Sequence, residues 1–360
     1  MKKIISFFVL ISMLFSLSAC GNDTTSEAEN SKQTVGVAMP TNFIQRWNQD
    51  GSNMKEAFEK EGYKVNLQYA NGDTDTQIQQ IENMIISGCD LIVIGSIDGS
   101  KLVDVIKEAV DKGIKIISYD RLIMGSENID YYVTFDNYEV GRLQGQYLEE
   151  KLGLKNGNGP FNFELVSGSP DDNNANFFFK GAMDILKPYI DNGKLVIKSG
   201  QSDLSSSSTL GWSTDLAAER MDKVISMYGP NEKIDAILSA SDSCSTGAII
   251  ALKKHGYGTP EKPFPLLTGQ DSERLSIISV LKGEQSMSIF KDTRVLSQKT
   301  VEMAEAILQG KEPEVNDTKT YDNGKKVVPS YLCQPVSVDA SNYKNVLIDS
   351  GYYTADDLKY

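Results

Sequence analysis

Acids and bases follow one another at several points where an apolar run of this chain stops. In KGIKIISYDR the β-branched segment gives way at once to Asp120 and Arg121. SMSIF is followed by Lys291 and Asp292, PLLTG by Gln270 and Asp271, and DAILSA by Ser241 and Asp242. LIVIG leads to Ser96 and Asp98, and YYVTF to Asp136 and Asn137. An ionised carboxylate only accepts hydrogen bonds, a guanidinium or ammonium only donates, and an amide does both. Such a set can saturate a neutral ligand rich in hydroxyls, and ionised partners make the stronger bonds. Taken singly, each pair has a plainer explanation as a turn or helix cap, because Asp and Ser are natural N-caps. Asp98 and Asp136 are read that way; the whole set is not.

Both tryptophans of the chain lie near such places. Trp47 stands beside Arg46 in PTNFIQRWNQD, after the first apolar run, and Trp212 follows SSSSTLG in a polar loop of the second half. Neither sits within an apolar run, and an exposed indole is costly. Each is either packed on its own half of the chain or offered as a flat wall to a ligand. A sugar ring has apolar C–H faces and a rim of hydroxyls, so two walls with these donors and acceptors describe a pyranose site. On this reading Asp120 and Arg121 accept from and donate to one sugar. Trp47, Trp212 and Arg121 then belong to no core, and their loss should spare folding.

These residues need a scaffold that gathers strand ends. From Thr34, VGVAM, KVNLQYA, LIVIGS, KIISYD and YYVTFD read as strands, with helical stretches such as TQIQQIENMIISG and GSKLVDVIKEAVDKG between the first four. The pattern then repeats: FNFELVSGS, KLVIKSG, DAILSAS and PLLTGQD are strands, interleaved with NFFFKGAMDILKPYI, TDLAAERMDKVISMY and STGAIIALKKHG. Alternation of this kind makes a parallel sheet covered on both faces. IGSIDG even matches LSASDS, and SYDR matches TGQD. The expected fold is α/β, with two doubly wound parallel-sheet lobes. SMSIFKDTRVLSQKTVEMAEAILQG and VVPSYLCQPVSV are too little for a third domain and complete both lobes by crossing between them, which makes a hinge. Lobe 1 is expected at 34–136 plus about 292–328, and lobe 2 at 137–291 plus about 329–360. Ligands of open α/β sheets bind outside the carboxyl ends of the strands, so two facing sheets would turn the polar pairs into one cleft.

The rest of the chain narrows the function. Residues 1–19 read as a signal peptide, with Lys2 and Lys3 before an apolar core, and LSAC resembles a lipobox in which Cys20 becomes the lipidated first residue. The polar stretch 20–33 reads as a flexible tether. The chain would then be extracytoplasmic and held to the membrane by lipid alone, since no second apolar run is long enough to span. A net charge of −13 opposes nucleic-acid binding. Cys89, Cys244 and Cys333 are odd in number and lie in or beside apolar runs, so they read as buried small hydrophobes rather than a disulfide framework. One histidine excludes a His-built metal site, and no cofactor is expected. SNMK at 52–55 has the form S-x-x-K but lacks a K-T-G partner, and GNGP at 157–160 precedes a strand where a dinucleotide loop would follow one.

AMPTNFIQRW, QIENMI, YDRLI, GSPDDNNA, SGQ…LGW, TGQD and IFKDT together resemble the periplasmic binding proteins for xylose and for multiple monosaccharides, in the ribose/galactose-type class. The resemblance runs from Thr34 to the end. It implies that Trp47 and Trp212 sandwich a sugar, with Arg46, Arg121, Asp172, Asn174, Asp271 and Lys291 as hydroxyl partners and Asp120 and Asp242 beside them. Xylose receptors carry Asn at the position of Ser241, a departure that points to several sugars rather than xylose alone. The implied function is capture of xylose, glucose, galactose or a similar aldose by a monomer that delivers it to the permease of an ABC importer. Presentation to a membrane sensor or chemoreceptor is the alternative. A glycoside-processing enzyme ranks lower because each carboxylate has a cationic or amide neighbour. A sugar-responsive repressor is excluded by the export signal and by the lack of a DNA-binding helix pair before Thr34.

Overall fold

The computed structural model describes residues 33–360. The expected signal peptide, Cys20 and the tether as far as residue 32 lie outside the described residues.

The first half builds β1 (Thr34–Met39), α1 (Gln45–Lys60), β2 (Lys64–Tyr69), α2 (Thr74–Ile86), β3 (Leu91–Ile94), α3 (Val103–Asp111), β4 (Lys115–Tyr119) and β5 (Tyr131–Phe135). In β3 every residue is buried, as unbroken apolar runs require when helices cover both faces of a parallel sheet. The second half supplies α4 (Asn137–Leu152), β6 (Phe161–Val166), α5 (Asn174–Asp191), β7 (Leu195–Val196), α6 (Leu204–Ser207) and α7 (Thr214–Ile225). It continues with β8 (Ala236–Ser239), α8 (Asp242–Lys254), β9 (Leu266–Leu267), α9 (Arg274–Leu281) and β10 (Met287–Phe290). The chain closes with α10 (Thr293–Leu308), β11 (Ser330–Cys333) and β12 (Val336–Asp339).

The strands form a parallel sheet in the order β11-β5-β4-β3-β1-β2 and a second parallel sheet in the order β7-β6-β8-β9. A bridge from Gln270 to Ile289 carries the second sheet on to β10, which pairs antiparallel with β12. The chain passes between the sheets after β5, after β10 and between β11 and β12. VVPSYLCQPVSV, expected as one extended run, is two strands in different sheets, so the last crossing falls at Gln334–Pro335 rather than near residue 329. Pro335 has no N–H to continue the ladder, which explains the break.

Side chains at the helix starts behave as caps. Asp73, Asp136, Ser241 and Asp292 each accept a hydrogen bond from a backbone N–H in the first turn of the helix they precede. Asp98 accepts from Ser100 N–H within its own turn. Cys89, Cys244 and Cys333 are buried free thiols. Among the described residues no helix is long and apolar enough to cross a membrane.

Helices α4 and α5 touch through glycine. A Cβ on Gly141 would overlap the Phe178 carbonyl, and one on Gly181 would overlap the Tyr138 carbonyl. Since α5 also carries Asn174 and Phe178, this contact fixes one side of the region where the strand ends gather. Gly141→Ala and Gly181→Ala should each destabilise the fold by about 1–3 kcal/mol through overpacking. Thermal melts that match the unsubstituted protein would show that the two helices can part freely.

Candidate functional site

The carboxyl ends of the strands surround one cavity of about 430 Å³, including its part open to solvent. The first sheet contributes Ile44, Arg46 and Trp47 from the β1–α1 segment, and Asp120 and Arg121 after β4. The second contributes Asp172, Asn174 and Phe178 around the start of α5, Trp212 before α7, and Ser241 and Ser243 after β8. Gln270 and Asp271 follow β9, and Lys291 follows β10.

Arg46 is the electrostatic centre. Its Nε donates to Asp50 at 2.7 Å, Nη2 to Asp120 at 2.5 Å and Nη1 to Asp271 at 2.8 Å. Asp50 and Asp120 belong to the first-sheet side and Asp271 to the second, so one guanidinium joins the two. Burial disfavours the Arg46 charge, but the charges of Asp120, Asp50 and Asp271 outweigh it and hold the proton more firmly than usual. Burial also opposes the charges of Asp120 and Asp271, and again loses. Arg46, Lys291 and Arg121 hold Asp120 below its ordinary value, and Lys291 and Arg46 do the same for Asp271. Asp50 is different: fully buried behind Arg46, it is pushed up to about 6 by burial despite that neighbour. Tyr119 donates its hydroxyl to the other Asp50 oxygen at 2.5 Å.

A second pair crosses between the sides. Arg121 Nε lies 3.0 Å from Asp172 Oδ2, and Arg121 Nη1 donates to the Ser96 carbonyl at the end of β3. Burial raises Asp172, and Arg121 offsets only part of that. Lys291 Nζ lies 2.8 Å from Asp271, with the rings of Phe178 and Phe135 at 5.7 and 6.0 Å.

The backbone at the cavity is bent into unusual shapes. The non-glycine residues with left-handed φ among those described are Asn71, Asp120, Trp212, Asp271 and Ser272, and three of them line the cavity. Such conformations are strained for ordinary side chains and gather at ligand sites. The Asp120 carbonyl is pinned by Tyr132 Oη, Thr134 Oγ1 and Asn174 Nδ2 at 2.5, 2.9 and 2.7 Å. Gly168 leaves the room that Trp212 occupies, because a Cβ there would overlap the indole.

Nine of the ten residues expected at the site line the cavity. Asp242 does not. It is wholly buried in the first turn of α8, taking hydrogen bonds from Gln285 Nε2, Ser288 Oγ and the Glu273 N–H. Burial and the charges of Glu273 and Asp271 push it well above the carboxylate range. It is a structural tie between α8 and β10. Asn174 lines the cavity, but its amide is already engaged, donating to Asp120 O and accepting from Asn137 Nδ2. The tryptophans correct a further expectation, because each packs in the apolar cluster of its own sheet while also lining the cavity. Trp47 carries the guanidinium carbons of Arg121 and Arg46 over its ring at 5.1 and 5.6 Å. Sequence reasoning missed Asp50, whose signal was its four-residue spacing from Arg46, and Phe178, hidden in an apolar helical run.

Residues 35–312 match the periplasmic binding protein domain family. The chain belongs to that family. A multiple sugar-binding periplasmic protein of Azospirillum brasilense is 53% identical, covering 97% of this chain and 98% of the relative. The D-xylose-binding periplasmic protein of Escherichia coli K12 is 35% identical over 93% and 95% of the two chains. An ABC transporter solute binding protein of Clostridium phytofermentans, solved with β-D-glucose bound, is 54% identical with a TM-score of 0.88, covering 91% of this chain and all of that one. Within this periplasmic binding protein family, the cavity between the sheets is where the built site of the present chain lies.

The buried carboxyls set an unusual pH dependence. Glu273, beside the left-handed Ser272, is pushed to about 7 by burial and by the charge of Asp271. With Asp50 at about 6, the folded chain holds protons that the unfolded chain has released, so stability falls as pH rises from about 4 to about 7. Asp120 and Asp271, held low, contribute stability that is lost only below the ordinary carboxylate range. The ligand-free protein should therefore melt at a higher temperature near about pH 5 than near about pH 7.5. Asp50→Asn should shrink that difference. A melting temperature that drops steadily over the same acidification would contradict this electrostatic account.

Proposed function

We propose that this chain is an extracytoplasmic lipoprotein that captures an aldose between two lobes and delivers it, as a monomer, to an ABC importer. Lobe 1 would comprise 34–136 with about 292–333, and lobe 2 137–291 with about 334–360. The observation that carries the reading is the cavity lining. Two indoles from different sheets meet there with three cations, each beside a carboxylate. Apolar surface of that kind suits the C–H faces of a pyranose. Trp212 Nε1 and Gln270 Oε1 are buried without a protein partner and are free to meet hydroxyls. The names of the relatives, multiple sugar-binding and D-xylose-binding, support the same ligand class. The glucose-bound relative supports D-glucose as one candidate, and its description as an ABC transporter protein favours import over presentation to a sensor.

Catalysis on a glycoside would need one carboxyl kept protonated beside an ionised partner. Asp120 and Asp271 are instead both held ionised by cations, and Asp172, raised by burial, is tied to Arg121. A binding protein fits these groups better than an enzyme.

Titration calorimetry with D-glucose, D-galactose and D-xylose should show roughly micromolar binding, about −8 kcal/mol, and chromatography should recover each sugar unchanged. Heat-silent titration of all three, or product formation that survives repurification, would sink the reading. Arg121→Ala and Trp212→Ala should each weaken binding by roughly 2 kcal/mol or more. Trp212→Ala should also lower the ligand-free melting temperature, because the indole is part of an apolar cluster. Full affinity in both variants would remove these side chains from the site. For anchoring, Cys20→Ala should abolish globomycin-sensitive processing and detergent-phase partitioning; equal partitioning of variant and wild type would refute lipidation at Cys20.

A further inference from the structure

Helix α9 begins at Arg274 with no side-chain cap from Glu273 before it. An uncapped first turn leaves backbone N–H groups without partners. One of them, Arg274 N–H, donates to Gln45 Oε1 at 3.1 Å, so the acceptor comes from the first residue of α1 in the other lobe. The same Gln45 amide donates through Nε2 to Tyr353 Oη at 2.8 Å. Tyr353 Oη in turn donates to the Ser272 carbonyl at 3.0 Å. Tyr353 is 6% exposed and packs with Ile277, Phe290 and Val338 on the second-sheet side, which fixes its ring. Beside it, Tyr352 Oη donates to Gln49 Oε1, again on α1, at 3.1 Å. None of Gln45, Gln49, Tyr352 and Tyr353 lines the cavity.

This chain of bonds ends at the left-handed Asp271–Ser272 turn, whose carboxylate holds Arg46 and Lys291. We propose that Gln45 and Tyr353 form a clasp between α1 and the C-terminal tail. The clasp holds the two lobes together and positions Asp271, so it sets sugar affinity without touching sugar. The proposal rests on the monosaccharide reading above. Opening the lobes would strip the α9 N-terminus and the tyrosine hydroxyl of the same side-chain partner, which makes the clasp act as a unit. Burial pushes the Tyr353 hydroxyl far above its ordinary range, so it remains a donor at any working pH.

The test uses Gln45→Ala, Tyr353→Phe and the double variant of the full chain, titrated with D-glucose and D-xylose. Each single change should weaken binding about threefold to tenfold, the worth of one or two hydrogen bonds. The double variant should be little worse than either single one. Ligand-free Gln45→Ala should remain cooperatively folded, and its small-angle scattering should show a larger radius of gyration than wild type at equal sugar. Wild-type affinity in Gln45→Ala, or losses that simply add in the double variant, would overturn the clasp. If the wild-type chain takes up neither sugar, the monosaccharide reading fails separately. The clasp is then judged on ligand-free scattering, where equal radii for wild type and Gln45→Ala overturn it and a larger radius for the variant supports it.

Discussion

A buried guanidinium is costly unless its charge is compensated. Arg46 is 4% exposed, and taking its charge out of water is tolerable only if ionised oxygens surround it. Its own helix supplies Asp50 one turn on, the end of β4 supplies Asp120, and the other lobe must supply Asp271. The position of one lobe against the other is thereby tied to a charge. Much of the site follows from that requirement. Lys291 shares Asp271, Arg121 repeats the arrangement with Asp172, and the cavity between these pairs is lined by charges that are already compensated. A neutral, hydroxyl-rich ligand can exchange hydrogen bonds there without bringing a charge of its own to be neutralised.

The backbone is shaped to serve these groups. A doubly wound sheet ends its strands on one edge, and sharp left-handed turns at Asp120 and Asp271 aim both carboxylates at Arg46, the second from across the cleft. Left-handed geometry is unfavourable for such residues and persists only where neighbours enforce it. At Asp120 the enforcement is the triple acceptance at its carbonyl, one donor coming from Asn174 across the hinge. At Asp271 and Ser272 it comes from Ser288 Oγ, which accepts from the Ser272 N–H, and from Tyr353. At Asp120 the strain is therefore anchored in part by a contact that also joins the lobes, and at Asp271 and Ser272 by contacts within the second lobe.

Most of the strands were legible because β-branched apolar runs leave little alternative when both faces are covered. The strand ends were legible because polar pairs broke those runs abruptly. Direction was not. Ser241-Asp242 looks in sequence like Gln270-Asp271, yet Asp242 turns beneath α8 toward Ser288 while Asp271 faces the cavity. Asp50 lay within a polar helical stretch and was hidden by its ordinary surroundings, although its spacing from Arg46 was in plain sight. The tryptophans defeated an either-or reading, since a large ring can pack one part against a core and leave another at a cavity. The tyrosines of the C-terminal tail carry no periodicity, and their partners on α1 are roughly the whole chain away in sequence, so no local pattern could have paired them.

The central claim is that one sugar ring is held between side chains of both lobes around the Arg46–Asp271 contact. A crystal structure of the chain grown with D-glucose measures this directly. The account predicts a ring in the cavity touching the indoles of Trp47 and Trp212, with hydroxyls on Arg121 and on the Asp271–Lys291 pair and the Arg46–Asp271 ion pair intact. A sugar bound elsewhere, or one that contacts a single lobe while Arg46 and Asp271 stand apart, would contradict it.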